Sequence, residues 1–204
     1  RGLVVQPFKV GPDFIDPTHH TQVCGRESRN LDPFMMTEEN VRKTFVSATK
    51  GADIAVIEGV MGLYDGVDGG DESSTAHVAR ILNAPIILVA DVKGMSRSCG
   101  ALVSGYTGFD KSLRFAGAVL TKGGSERHRS MVCSALPIPV LGWIPRTEAL
   151  AVESRHLGLL LAEEDSRMKQ TAELIEETCL LDEILKAASA APAVSAAADA
   201  EEKE

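Results

Sequence analysis

The chain holds 204 residues, 44% of them hydrophobic, with a formal net charge of −8. That is enough apolar content for one α/β domain with a buried core. Aromatics are scarce at 4% while Ala, Gly and Val are plentiful, which suits parallel strands covered by helices better than a β-sandwich. The acidic balance argues against nucleic acid as a partner, and no apolar run approaches the length needed to span a bilayer. Four scattered cysteines, Cys24, Cys99, Cys133 and Cys179, contain no C-x-x-C pair, so reduced thiols in a cytoplasmic protein are expected.

In chain order, Leu3–Phe8 reads as a short buried strand, followed by a Gly/Pro-punctuated loop from Lys9 to Pro17. Glu38–Thr49 has helical spacing, with Thr37 as its N-cap. Asp53–Glu58 is an apolar strand ending in an acid, and Ser74–Leu82 is helical. Pro85–Ala90 is a further apolar strand, Ser96–Tyr106 a helix, Phe115–Leu120 a strand, Glu126–Ala135 a helix and Pro139–Ile144 a strand. A long amphipathic helix is predicted from Glu163 to Ala188, with a break near Leu181. Residues 189–204 turn to Ala, Ser, Pro and Glu, which is linker composition. Its last nine residues hold four acids and one base, contributing −3 to the net charge. The alternation of apolar strands with helices predicts a doubly wound, mostly parallel α/β sheet over residues 1–188, with ligands at the carboxyl ends of the strands.

The candidate chemistry gathers at those strand ends. Lys9-Val10-Gly11-Pro12-Asp13-Phe14-Ile15-Asp16-Pro17 follows the first strand. Lys9 is placed to meet a phosphate or carboxylate, and Asp13 and Asp16 to hold magnesium or position a nucleophile. An acidic surface turn with a solvated lysine is the competing reading. Glu58-Gly59-Val60-Met61-Gly62-Leu63-Tyr64-Asp65-Gly66 puts a carboxylate at the tip of a buried strand, where nucleotide-bound magnesium is held in P-loop proteins. Arg26 and Arg29 flank a turn before Asp32 and suit substrate carboxylates, or equally structural ion pairs. His19 and His20 lack a partner at metal-ligand spacing. No G-x-x-x-x-G-K-[ST] occurs anywhere in the chain.

Taken together, V-Q-P-F-K-V-G-P-D-F-I-D-P (Val5–Pro17), S-R-N-L-D (Ser28–Asp32), I-E-G-V-M-G-L-Y-D-G (Ile57–Gly66) and R-H-L-G-L (Arg155–Leu159) resemble the cobyrinic acid a,c-diamide synthase family, in order and in spacing. The resemblance runs from Arg1 to about Glu163. It implies a dethiobiotin-synthetase-like P-loop NTPase fold followed by a glutamine amidotransferase domain. It also implies ATP- and magnesium-dependent amidation of the a and c acetate carboxylates of a tetrapyrrole, through an acyl phosphate. On that pattern the family's first strand and phosphate-binding loop, roughly 30 residues by the size of a βαβ unit, are expected ahead of Arg1. The glutaminase domain is expected beyond the Ala/Glu-rich linker, and the piece alone is expected to be inactive.

Carried over by position, the resemblance assigns Lys9, Asp13 and Asp65 to catalysis, and Asp16 and Glu58 to the metal. It assigns Arg26, Arg29, Tyr64 and His156 to the substrate. Lys9, Thr121 and Lys122 go to the nucleotide, Thr121-Lys122 standing where many relatives carry an Asn-Arg that reads adenine. The expected partners are the tetrapyrrole carboxylate, the glutaminase domain and a second copy of the chain as a homodimer. The nickel-sirohydrochlorin a,c-diamide synthases share these motifs and are the alternative within the class. A non-catalytic P-loop-derived binding module is the alternative outside it.

Overall fold

In the computed structural model, residues 1–147 and 168–196 are described. They fall into two compact units, whose described portions are residues 1–84 with 192–196, and residues 85–147 with 168–191. His156 and the Arg155–Leu159 motif lie outside the described residues.

The first unit is a three-stranded sheet in the order β2-β1-β3, built from β1 (Val5–Val10), β2 (Arg29–Leu31) and β3 (Ile54–Glu58). Both ladders are parallel. Phe8, Val10 and Leu31 are fully buried and pack with Val41 of α2 (Pro33–Ala48) and with Val78, Ile81 and Leu82 of α3 (Thr75–Leu82). Phe8 stacks on Phe45 with ring centroids 5.2 Å apart. Burying one such side chain stabilises the fold by about 1.5–3 kcal/mol.

The sequence reading of α2 holds in its second part. Asp32 caps the first turn by accepting the Phe34 N–H at 3.0 Å, with Pro33 at the first helical position. Thr37 then takes a left-handed φ of 70° inside the helix, and its hydroxyl accepts the Asn40 N–H at 3.4 Å. The helix thus has two starts, and the predicted Thr37 cap marks the second. Ser74 caps α3 as expected, accepting the His77 N–H at 3.0 Å.

One α-helix and one strand were not read from the sequence. One is α1 (Asp16–Cys24), which buries no residue and begins inside the segment expected to be loop. The other is β2, which is only three residues long.

The second unit repeats the theme with β4 (Ile86–Asp91), β5 (Phe115–Gly123) and β6 (Val140–Pro145), in the order β4-β5-β6 and again all parallel. Val92, Cys99, Val103, Ala118, Leu120 and Val132 are fully buried at its centre, with Trp143 against them. The helices α4 (Ser98–Phe109) and α5 (Glu126–Cys133) supply Cys99, Val103 and Val132 to that core. The predicted long C-terminal helix is two, α6 (Met168–Thr178) and α7 (Leu181–Ser189). They are separated where Leu180 N–H reaches Leu141 O at 2.7 Å. The sequence also implied strands covered on both faces, yet Val56 on β3 is 52% exposed and Val89 on β4 is 66% exposed. Each lies on the strand that ends its three-stranded sheet.

Candidate active site

In the first unit the parallel register brings Lys9 level with Asn30 on β2 and Glu58 on β3. Lys9 alternates with the core residues Phe8 and Val10, so its side chain leaves the sheet on the other face. The residue is only 4% exposed. Its ammonium group lies 2.5 Å from Asp16 Oδ2, 3.4 Å from Glu58 Oε1 and 3.7 Å from Asp13 Oδ2. Burial alone pulls a lysine toward neutrality. Here the Asp16 hydrogen bond and the charges of Glu58 and Asp16 outweigh it and hold Lys9 above the ordinary lysine value. Burial likewise pushes Asp16 up, but the hydrogen bond and charge of Lys9 prevail and hold its carboxyl below the ordinary aspartate value.

The loop between β1 and α1 is shaped to place these groups. Gly11 takes a left-handed φ of 79°, and its N–H reaches Leu31 O at 3.0 Å. Asp13 Oδ1 accepts the N–H groups of Ile15 at 2.8 Å and Asp16 at 3.2 Å, serving the start of α1. Asn30 Nδ2 donates to Asp13 O at 2.6 Å. With no buried face, α1 is held by these polar ties and by its left-handed Gly25 cap. One of its residues completes the cluster: His20 Nε2 donates to Glu58 Oε2 at 2.5 Å, and its Nδ1 meets Ser28 Oγ at 3.2 Å. Sequence spacing gave no sign of this, because His20 and Glu58 meet only when α1 packs against β1, the strand paired with β3.

The chain leaving β3 is tied down through Thr75, whose hydroxyl accepts the Val60 N–H at 2.9 Å and donates to Val60 O at 3.2 Å. Gly59 packs so closely on Thr75 that a Cβ there would lie 2.8 Å from Thr75 Cγ2. Asp65 is exposed and accepts the Gly62 N–H through Oδ2 at 3.1 Å. Tyr64 adjoins it in the chain and is half-buried.

The two arginines part company. Arg26 gives its guanidinium to Gln6 Oε1 at 2.8 Å, Ala48 O at 2.8 Å and Lys50 O at 3.0 Å. These bonds tie β1 to the end of α2, the structural role that the sequence left equally open beside substrate binding. Arg29 is half-exposed and pairs with Glu27 at 2.8 Å. Asp32 is committed to capping α2.

In the second unit Thr121 is level with Asp91 across β4 and β5. Lys122, with a left-handed φ of 55°, bonds Asp91 Oδ2 at 2.6 Å. The hydrogen bond from Lys122 holds Asp91 below the ordinary aspartate value.

A separate cleft of about 370 Å³ lies against α2 and α3, lined by Glu38, Arg42, Asp71, Glu72, His77, Arg80 and Ile81. Its polar groups answer one another, with His77 hydrogen-bonded to Glu38 at 3.0 Å, Arg42 3.6 Å from Glu38, and Arg80 paired with Asp71. None of the predicted site residues lines it.

Among the described residues no group of three or more His, Cys, Asp or Glu is arranged to hold a metal ion. Magnesium needs less, since it commonly takes one or two carboxylates and fills the remaining positions with substrate phosphates and water. The convergence of Asp16 and Glu58 oxygens on one cationic group fits that hard-oxygen donor set. All four cysteines are free thiols, and burial pushes Cys24, Cys99 and Cys179 up, away from nucleophilic use. No helix among the described residues is long and apolar enough to cross a membrane.

All-parallel ladders alternating with helices, with the polar cluster at the strands' carboxyl ends, define an α/β domain of the doubly wound, P-loop NTPase-like kind. The chain belongs to the AAA domain family, which matches residues 27–154. It is similar to the cobyrinate a,c-diamide synthase of Picrophilus torridus, 43% identical over 194 residues that cover 91% of this chain and 44% of the relative. The Archaeoglobus fulgidus protein of the same name is 43% identical over 201 residues, 94% of this chain and 44% of the relative. The hydrogenobyrinate a,c-diamide synthase of Mycobacterium bovis is 47% identical over 179 residues, 84% of this chain and 39% of the relative. The chain thus spans under half the length of these curated relatives.

Proposed function

We propose that this chain is the ATP-dependent synthetase part of a corrinoid a,c-diamide synthase, acting in the cytoplasm. The observation that carries the proposal is the Lys9 ammonium held among Asp13, Asp16 and Glu58 at the strand ends. The relatives are named for cobyrinate and hydrogenobyrinate, which supports a corrin-type substrate over nickel-sirohydrochlorin.

A carboxylate is a poor electrophile, because its negative charge repels a nucleophile and its oxygen is a poor leaving group. Transfer of the γ-phosphoryl group of ATP to a substrate acetate oxygen releases ADP and gives an acyl phosphate. Ammonia then attacks the carbonyl carbon, the C–O bond to phosphate breaks, and an amide and inorganic phosphate leave. Lys9 places a permanent positive charge where the transferring phosphoryl oxygens gather, and its raised pKa keeps it charged throughout the working pH range. Asp13 fixes the loop that carries it. Asp16 and Glu58 would hold magnesium, which when bound neutralises phosphate charge, and His20 orients Glu58 from behind. Asp65, Tyr64 and Arg29 face the acetate-bearing substrate, Thr121 and Lys122 meet the nucleotide, and His156 belongs with the substrate loops. The nitrogen comes from glutamine through a glutaminase domain of the same parent protein, and a homodimer is the proposed assembly.

The test uses the protein at its full natural length with ATP, magnesium and glutamine, offering cobyrinic acid, hydrogenobyrinic acid or nickel-sirohydrochlorin. Products are read by mass. Two successive exchanges of a hydroxyl for an amino group on a corrinoid support the reading. Amidation of nickel-sirohydrochlorin alone would move the substrate to that macrocycle. A folded protein that converts none of them sinks the enzyme reading and leaves a binding module.

A further inference from the structure

The end of β5 is held in a conformation that the chain would not adopt alone. Lys122 sits at φ 55°, and a non-glycine residue keeps a left-handed conformation only where its surroundings over-determine it. Those surroundings are visible. A Cβ on Gly123 would lie 2.3 Å from Cε2 of Trp143, so the strand backbone rests directly on the indole ring. Gly123 O accepts the Arg146 N–H at 2.9 Å. Gly124 N–H donates to His128 Nδ1 at 2.9 Å.

His128 joins two loops that each follow a strand. With Nδ1 accepting from Gly124, the proton lies on Nε2, which donates to Met95 O at 2.7 Å. Met95 belongs to the loop after β4, and Gly124 to the loop after β5. The ring also meets Trp143 edge-on, with centroids 5.3 Å apart at 72°, and Ser125 receives the His128 N–H at 3.4 Å to cap α5. Both ring nitrogens and the ring edge are therefore engaged, and the position of each loop depends on the other through one side chain.

We propose that His128 is a positioning residue for the nucleotide: it fixes the Thr121–Gly124 turn in the shape that meets the purine base, and so helps set which base is accepted. The inference rests on the reading of Thr121 and Lys122 as nucleotide contacts. Neither sequence spacing nor resemblance singled out His128, because its role exists only once α5 lies across both strand ends.

The experiment measures KM and kcat with ATP and with GTP in the full-length protein, for wild type, His128→Phe and His128→Asn, with melting temperatures alongside. Phenylalanine keeps an aromatic edge for Trp143 and loses both hydrogen bonds. Asparagine restores an acceptor for Gly124 and loses the bond to Met95. We expect His128→Phe to raise KM for ATP about tenfold with kcat within about twofold, and to narrow the preference for ATP over GTP. His128→Asn recovers most of that loss. A folded His128→Phe protein with unchanged KM and unchanged base preference, and only a lower melting temperature, overturns the inference. Should His128→Phe fail to fold, His128→Leu, which also loses both hydrogen bonds, takes its place, and wild-type KM and base preference in that variant overturn the inference equally. A wild type with no nucleotide-dependent amidation refutes the proposed function itself and this inference with it. An active wild type beside an indifferent variant refutes this inference alone.

Discussion

The two units carry the same device in opposite environments. In each, a lysine at the carboxyl end of a parallel strand reaches an aspartate at about hydrogen-bond distance, Lys9 to Asp16 at 2.5 Å and Lys122 to Asp91 at 2.6 Å. The Lys9 side chain is 5% exposed, whereas that of Lys122 is 57% exposed. Buried among three acids, Lys9 has no water shell to fall back on, so its charge is worth more to a ligand and its loss leaves acids facing one another. Lys122 and Asp91 are solvated, and the same geometry contributes little to the fold. Geometry alone does not rank ion pairs; burial does.

The largest effect should therefore follow Lys9→Met. The proposed transferring phosphoryl group would lose its fixed cation, and amidation should fall about 10²–10³-fold, read as kcat with ATP saturating. The variant should also melt lower at neutral pH, since Asp13, Asp16 and Glu58 would face each other without a counter-ion. The sign of the pH dependence follows from Asp16. Its carboxyl is held low by Lys9, so its stabilising contribution is present above the ordinary aspartate value of 3.8 and lost as pH falls through the lower folded value. The gap in melting temperature between wild type and Lys9→Met should close on acidification. A gap that persists there would mean that Lys9 stabilises through packing rather than charge.

Next in size is Arg26→Ala. It removes three hydrogen bonds, two of them to main-chain carbonyls, and should cost about 1–3 kcal/mol in denaturant unfolding. The same variant should leave KM for the macrocycle within about twofold. A large KM effect with wild-type stability would return Arg26 to the substrate. Gly66→Ala is of similar size, because its Cβ would meet Glu72 O at 2.2 Å and Gly70 O at 2.8 Å, both main-chain atoms. Forcing that turn open should cost about 1–3 kcal/mol, and a thermal melt matching wild type would show the loop to be softer than it looks.

These comparisons also show what the sequence can and cannot carry. The apolar runs of β3, β4 and β5 are unmistakable because each is continuously hydrophobic in sequence, even where Val56 and Val89 end up exposed. Lys9, Asp13, Asp16 and Glu58 were legible for the same reason, since acids and a lysine at the ends of such strands have nowhere to go but the sheet's carboxyl edge. By contrast α1 buries nothing, so it has no periodicity to read, and β2 is too short for alternation to register. The joining of His20 to Glu58, and of His128 to Met95, is long-range and arises from folding rather than from spacing. Arg26 and Arg29 could not be told apart in sequence, because two arginines near an acid look alike whether they serve a ligand or the main chain.

The smallest effect separates the two lysines most cleanly. Asp91→Asn removes the acid from an exposed pair, so its melting temperature should match wild type at neutral pH, in contrast to Lys9→Met. What should change is the charge that Lys122 offers. Without Asp91 Oδ2 at 2.6 Å, its ammonium is no longer neutralised and turns toward an anionic nucleotide. ATP should then bind about two- to threefold more tightly at low ionic strength, and the gain should vanish at high salt, where exposed charges are screened beyond about 10 Å or less. Titration calorimetry at two salt concentrations reads this directly. Affinity that is indifferent to both substitution and salt would mean that the Lys122 ammonium does not sense the phosphates. The contribution of that turn to nucleotide binding would then have to come from its backbone, the part that His128 and Trp143 hold in place.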